Sequence, residues 1–60
     1  MKITEINIIT EYSIQTEGLE WNFHRRSMDS CNWETLMGDS WEPSPFEDEL
    51  ELEFKKEMEN

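Results

Sequence analysis

"PSPFEDELELEF", residues 43–54, could be a helix or a strand, and the architecture turns on which. Phe46, Leu50, Leu52 and Phe54 are apolar, and Glu47, Asp48, Glu49, Glu51 and Glu53 fill the positions between them. Two periods compete here. Leu50, Leu52 and Phe54 alternate as a strand would, but that strand would place Asp48 and Lys56 on its buried face, and Glu is depleted in strands. Phe46, Leu50, Phe54 and Met58 recur every four residues, which is the apolar stripe of a helix. Ser44 is a good N-cap, Pro45 occupies the favoured first helical position, and Glu47 completes an S-x-x-E capping box. Carboxylates crowd the first turns while Lys55 and Lys56 lie near the end, as the helix dipole favours. These signals predict a helix over about residues 45–58, with Leu52 alone off the stripe.

Working back towards the N-terminus, Pro43 and Pro45 each disfavour helical geometry in the residue before them. "GDSWEPSP", residues 38–45, therefore reads as a rigid connection, with Trp41 an anchor packed on the sheet or an exposed contact for a partner. "WETLM", residues 33–37, reads as a third strand rather than a helical turn capped by Ser30, because Trp33 and Thr35 are poor helix formers. "SMDSCN", residues 27–32, is a polar link. "LEWNFHRR" alternates Leu19, Trp21 and Phe23 against Glu20, Asn22 and His24, predicting a strand over about 19–26 with His24 towards solvent. Ile6, Ile8, Thr10, Tyr12 and Ile14 share one parity and predict a single strand over about 3–14, with Ile9 on its other side. Gly18 supplies the left-handed residue between these two strands. The expected fold is α+β: an antiparallel hairpin or three-stranded sheet followed by an amphipathic acidic helix, in one small domain spanning residues 1–60.

Sixty residues bury only about 60% of their unfolded surface, so folds of this size usually add disulfides, a metal or a partner subunit. Cys31 is the sole cysteine and His24 the sole histidine, which excludes an internal disulfide and leaves a Cys/His zinc site short of ligands. A homodimer, or completion by a target, is the remaining expectation. The N-terminal "MKITEINIITEY" lacks the apolar run of a signal peptide, and no stretch approaches the ~20 apolar residues of a membrane span. With one unpaired cysteine, the cytoplasm is the expected compartment.

No constellation of enzymatic groups emerges. His24, Ser27, Asp29 and Cys31 lie close in sequence but match no catalytic spacing, and so short a chain can scarcely build a concave site. "DELELEF" lacks the residues of a calcium loop, and there is no glycine-rich phosphate cradle. No enzyme activity, cofactor or metal is expected. Arg25-Arg26, the basic pair outside the helix, is expected to form an internal salt link with the acidic face, weak at an exposed surface.

Fifteen acidic against five basic side chains give a formal charge of −10. Such a balance argues against binding nucleic acid directly, where Lys and Arg neutralise phosphates, and against anionic membranes. A basic protein partner fits it. On the expected helix, Glu49, Glu53 and Glu57 form one row and Glu47 and Glu51 a neighbouring one. Carboxylates at 47, 49, 51 and 53 then recur every ~3 Å of rise, close to the ~3.4 Å spacing of phosphates along one DNA strand. In size and charge the chain is similar to the short acidic inhibitors that phages use against host defence or transcription machinery. That resemblance implies a non-enzymatic nucleic-acid mimic, of the anti-CRISPR or anti-restriction kind. It would occupy the basic nucleic-acid site of a host protein. Glu47, Glu49, Glu51 and Glu53 are then the candidate steering residues, with Trp41 and Leu52 the apolar anchors. The alternative is a structural or assembly subunit that oligomerises through the outer sheet face, at Ile9 and Leu36, with charge serving solubility.

Overall fold

The architecture follows from each strand pairing with its neighbour in sequence. A computed structural model describes residues 1–59, in the order β1 (Lys2–Ile8), β2 (Glu11–Glu17), β3 (Phe23–Ser27), β4 (Trp33–Met37), β5 (Ser40–Pro43) and α1 (Glu47–Glu59). The strands form one five-stranded antiparallel sheet in the order β1-β2-β3-β4-β5. The helix lies on one face of it and packs against β4 and β1.

The α+β class is as expected, but the sheet has five strands rather than two or three. The region expected as one strand over 3–14 folds back on itself. Ile8 pairs with Tyr12 and Ile6 with Ile14, and partners across an antiparallel pair point to the same face. A three-residue reversal at Ile9, Thr10 and Glu11 therefore preserves the even-numbered parity across the turn. Leu19 and Trp21 sit in the β2–β3 connection, so the second expected strand begins only at Phe23. Gly18, at φ 90°, opens that connection, and Thr16 N–H closes it on Asn22 O at 2.9 Å.

The strand expected over 33–37 is present as β4. The rigid connection expected after it contains a further strand, β5. Met37 pairs with Ser40 around Gly38-Asp39, and Gly38 at φ 73° supplies the positive first position of a type II′ hairpin turn. Pro43 is tolerated because β5 is an edge strand, where a missing N–H breaks no ladder.

Ser44 caps the helix: its Oγ accepts from Phe46 N–H at 3.0 Å. Ser44 N–H donates to Trp33 O at 2.9 Å, which ties the cap to β4 in place of the reciprocal bond from Glu47. Leu50 and Phe54 are buried and Phe46 is half-buried, whereas Met58 and Leu52 are exposed. The stripe thus docks over its first three members. Beneath it the core is small: Ile14, Trp33, Leu50 and Phe54 are the buried apolar residues, flanked by Met1, Ile3, Ile6, Tyr12 and Phe46. Phe54 is the hub, its ring 4.9 Å from Tyr12 and 5.4 Å from Trp33.

Candidate interaction site

Strand alternation sorts the chemistry-bearing residues onto two faces. Tyr12, Ile14, Thr16, His24, Arg26, Trp33 and Thr35 belong to the helix-covered face, and two polar systems cross it.

The first contains Glu51. Its Oε1 accepts from Arg26 Nη1 at 2.6 Å and from Trp33 Nε1 at 2.8 Å, and Lys55 Nζ lies 3.7 Å from Oε2. The Arg26 guanidinium is enclosed by Tyr12, Phe54 and Trp33, at 4.8, 5.3 and 5.6 Å from their ring centroids. Its Nε is buried without a hydrogen-bond partner. Burial pushes the Glu51 carboxyl up. The hydrogen bonds from Arg26 and Trp33 and the charges of Arg26 and Lys55 outweigh that, and hold it below its usual 4.5. The salt link expected from the Arg25-Arg26 pair is therefore present, but Arg26–Glu51 is largely buried, with side chains 11% and 18% exposed. Sequence reasoning placed Glu51 among the partner-facing carboxylates. The structure commits it to the core.

The second system is a buried chain of hydroxyls through His24. Thr35 Oγ1–H donates to Ser44 Oγ at 2.7 Å. Thr35 has no second proton to give, so His24 Nδ1–H donates to Thr35 at 2.8 Å, and Nε2 accepts from Thr16 Oγ1–H at 2.9 Å. His24 is 1% exposed, not the solvent-facing residue expected from the sequence, because β3 alternation puts it opposite Ile14 and Thr35. Burial lowers its pKa below the ordinary 6.5. The unfolded chain then binds a proton more readily than the folded one, so this contribution is complete above pH 6.5 and declines as pH falls below it. The melting temperature should accordingly fall between pH 7 and 5, and His24→Gln should flatten that slope. A slope unchanged in the variant would assign the titration to another group.

The solvent side of α1 carries the remaining acidic groups. Asp48 and Glu49 are exposed, Glu47 is half-buried, and Glu53 accepts a 3.5 Å contact from Lys56 Nζ. All five basic side chains have an acidic partner within 4.0 Å: Lys2 with Glu17, Arg25 with Glu34, Arg26 and Lys55 with Glu51, and Lys56 with Glu53. Four carboxylates thus take every cation, and among the described residues Asp48 and Glu49 have none within that distance. Leu52 rises from this acidic surface, 55% exposed.

Trp41 is on the other side of the sheet, which no element covers. It pairs with Leu36 across β4–β5, and the Arg25 guanidinium stacks 4.3 Å above its ring while donating from Nε to Glu34 at 2.9 Å. Phe23 stands half-exposed beside them. Leu52 therefore shares the exposed side of α1 with Asp48 and Glu49, while the half-buried Glu47 and Glu53 flank the buried stripe on either side and Trp41 is set apart from all of them. Ile9, expected on the outer sheet face, is at the β1–β2 turn and is 84% exposed. Cys31 is exposed in the β3–β4 loop. The described residues contain no group of three His, Cys, Asp or Glu side chains arranged to hold a metal, and no helix long and apolar enough to cross a membrane. Comparison with protein-family models, curated proteins and solved structures found no match to this chain.

Proposed function

We propose that the protein is a non-enzymatic inhibitor that occupies the basic nucleic-acid-binding surface of another protein, through the solvent side of α1. The observation that carries this reading is the exhaustion of cations. Every Lys and Arg is already paired inside the molecule, and three of the carboxylates left over on this −10 chain, Glu47, Asp48 and Glu49, stand in succession where the helix opens. Such a surface raises encounter rates with a positive one and excludes acidic partners. Leu52, exposed on the same helix, supplies apolar contact. Glu51 is not part of this surface, since neutralising it would disturb the core.

Immobilised protein incubated with bacterial lysate at low salt, read by mass spectrometry, tests the reading. The expected result is capture of a nucleic-acid-binding protein that is released by duplex DNA and by rising salt. The Glu47→Gln, Glu49→Gln, Glu53→Gln triple variant should lose capture, chiefly through slower association, while any one of these changes has little effect, because exposed pairs contribute only about 0.2–1 kcal/mol each. Capture that persists in excess DNA, or that the triple variant retains in full, would end the proposal.

A further inference from the structure

The uncovered sheet face is a surface separate from the acidic helix. Cross-strand registry sets its central residues in two rows: Gln15, Phe23, Leu36 and Trp41, and beside them Ser13, Arg25, Glu34 and Pro43. The first row holds a shallow groove of about 200 Å³ lined by Phe23, Leu36 and Trp41, with Glu5, Asn7, Ser13 and Gln15 as its polar lining. Its chemistry differs from the rest of the molecule. By alternation the charged strand residues on this face are Lys2, Glu5, Glu11, Glu17, Arg25 and Glu34, two cations against four carboxylates. It therefore carries −2 of the chain's −10. Lys2 and Arg25 are each paired within the face, to Glu17 and Glu34.

We infer that this face is the contact between two copies of the chain, packed sheet to sheet through Phe23, Leu36 and Trp41. Three observations point to a second copy rather than a different partner. An isologous contact must be self-complementary, and this face presents both a half-exposed aromatic, Phe23, and the groove beside it. A strongly acidic chain can meet itself only where its charge is least, and most of the −10 lies on the helix side and in the loops. The chain measures 31 × 25 × 19 Å, so a face built on the two longer dimensions offers on the order of 800 Å² per partner, the size of a standard stable interface. The stacked Arg25–Trp41 pair adds the residue types that dominate interface energetics. Among the described residues the helix-side core has four buried apolar residues, and the second copy supplies burial that no disulfide provides.

Sedimentation equilibrium at micromolar to tens of micromolar concentration should give twice the chain mass. Association should hold or strengthen as salt rises, because apolar contact persists and like charges are screened. Phe23→Thr and Leu36→Thr keep strand propensity and lie on the face away from the helix, and each should weaken dimerisation by about tenfold or more, with circular dichroism unchanged. A wild-type monomer throughout this range, or two folded variants that dimerise as tightly as wild type, would overturn the inference. So would a monomer whose Phe23→Thr variant loses capture from lysate, since the face would then belong to a different partner. The Glu→Gln triple variant should still dimerise, which separates failure here from failure of the proposed function.

Discussion

Glu51→Ala is expected to destabilise the fold by about 3 kcal/mol, the lower end for breaking a buried ion pair, because a small part of each side chain still meets solvent. The change leaves Arg26 enclosed by three aromatic rings with no counter-charge, and it removes the acceptor from Trp33 Nε1. A chain of 60 residues has roughly 3–9 kcal/mol of stability in all, so the change removes at least about a third of it. Glu51→Gln keeps an acceptor oxygen and loses only charge, and should cost about half as much. Arg26→Met combined with Glu51→Leu should recover most of the loss, since apolar replacement of a whole buried pair is often neutral. Urea unfolding followed by tryptophan fluorescence measures all three. A Glu51→Ala midpoint equal to wild type would mean that Arg26 escapes to water and the pair does not hold the helix on the sheet.

Thr35→Val should cost about 2–4 kcal/mol, although it changes neither volume nor strand propensity. It orphans His24 Nδ1 and removes the hydroxyl proton that Ser44 accepts, and each buried unsatisfied group costs about 1–3 kcal/mol. Ser44→Ala removes only the cap, at about 0.5–2 kcal/mol, since the Thr35 hydroxyl then loses a partner but keeps its bond to His24. The ordering, with Thr35→Val the more damaging, is the measurable outcome in the same urea titration. A reversed order would show that the helix cap matters and the hydroxyl chain beneath it does not.

How much of this was legible in the sequence differs by element. The helix was, because cap, stripe and charge gradient agree over residues 44–58, and β4 was, because Trp33 and Thr35 favour strands. The β1–β2 turn was not: Ile9 and Thr10 are strand formers, no Gly, Pro or Asn marks the reversal, and parity runs through it unbroken. β5 was hidden by Pro43, which reads as a breaker unless the strand is known to be an edge. Of the candidate site, the acidic helix surface was readable as composition, but the inward rotation of Glu51 was not. That depended on Arg26 lying on the covered face, which a one-residue change in the start of β3 would reverse. One signal was available: Glu51 follows Leu50 and lies three residues before Phe54, at the flank of the apolar stripe. His24 was misread for the same reason.

The neighbour-by-neighbour strand order also bears on how the molecule assembles. Each of the four ribbons closes over a short loop, so the sheet grows by local steps with little entropy lost at each. The seating of α1 on β1 joins the most distant of these elements. That docking closes the longest loop, and it buries Leu50 and Phe54, which complete the core. The largest single loop closure in folding is thus the docking of the helix, to which the rings around Phe54 contribute and the turns do not.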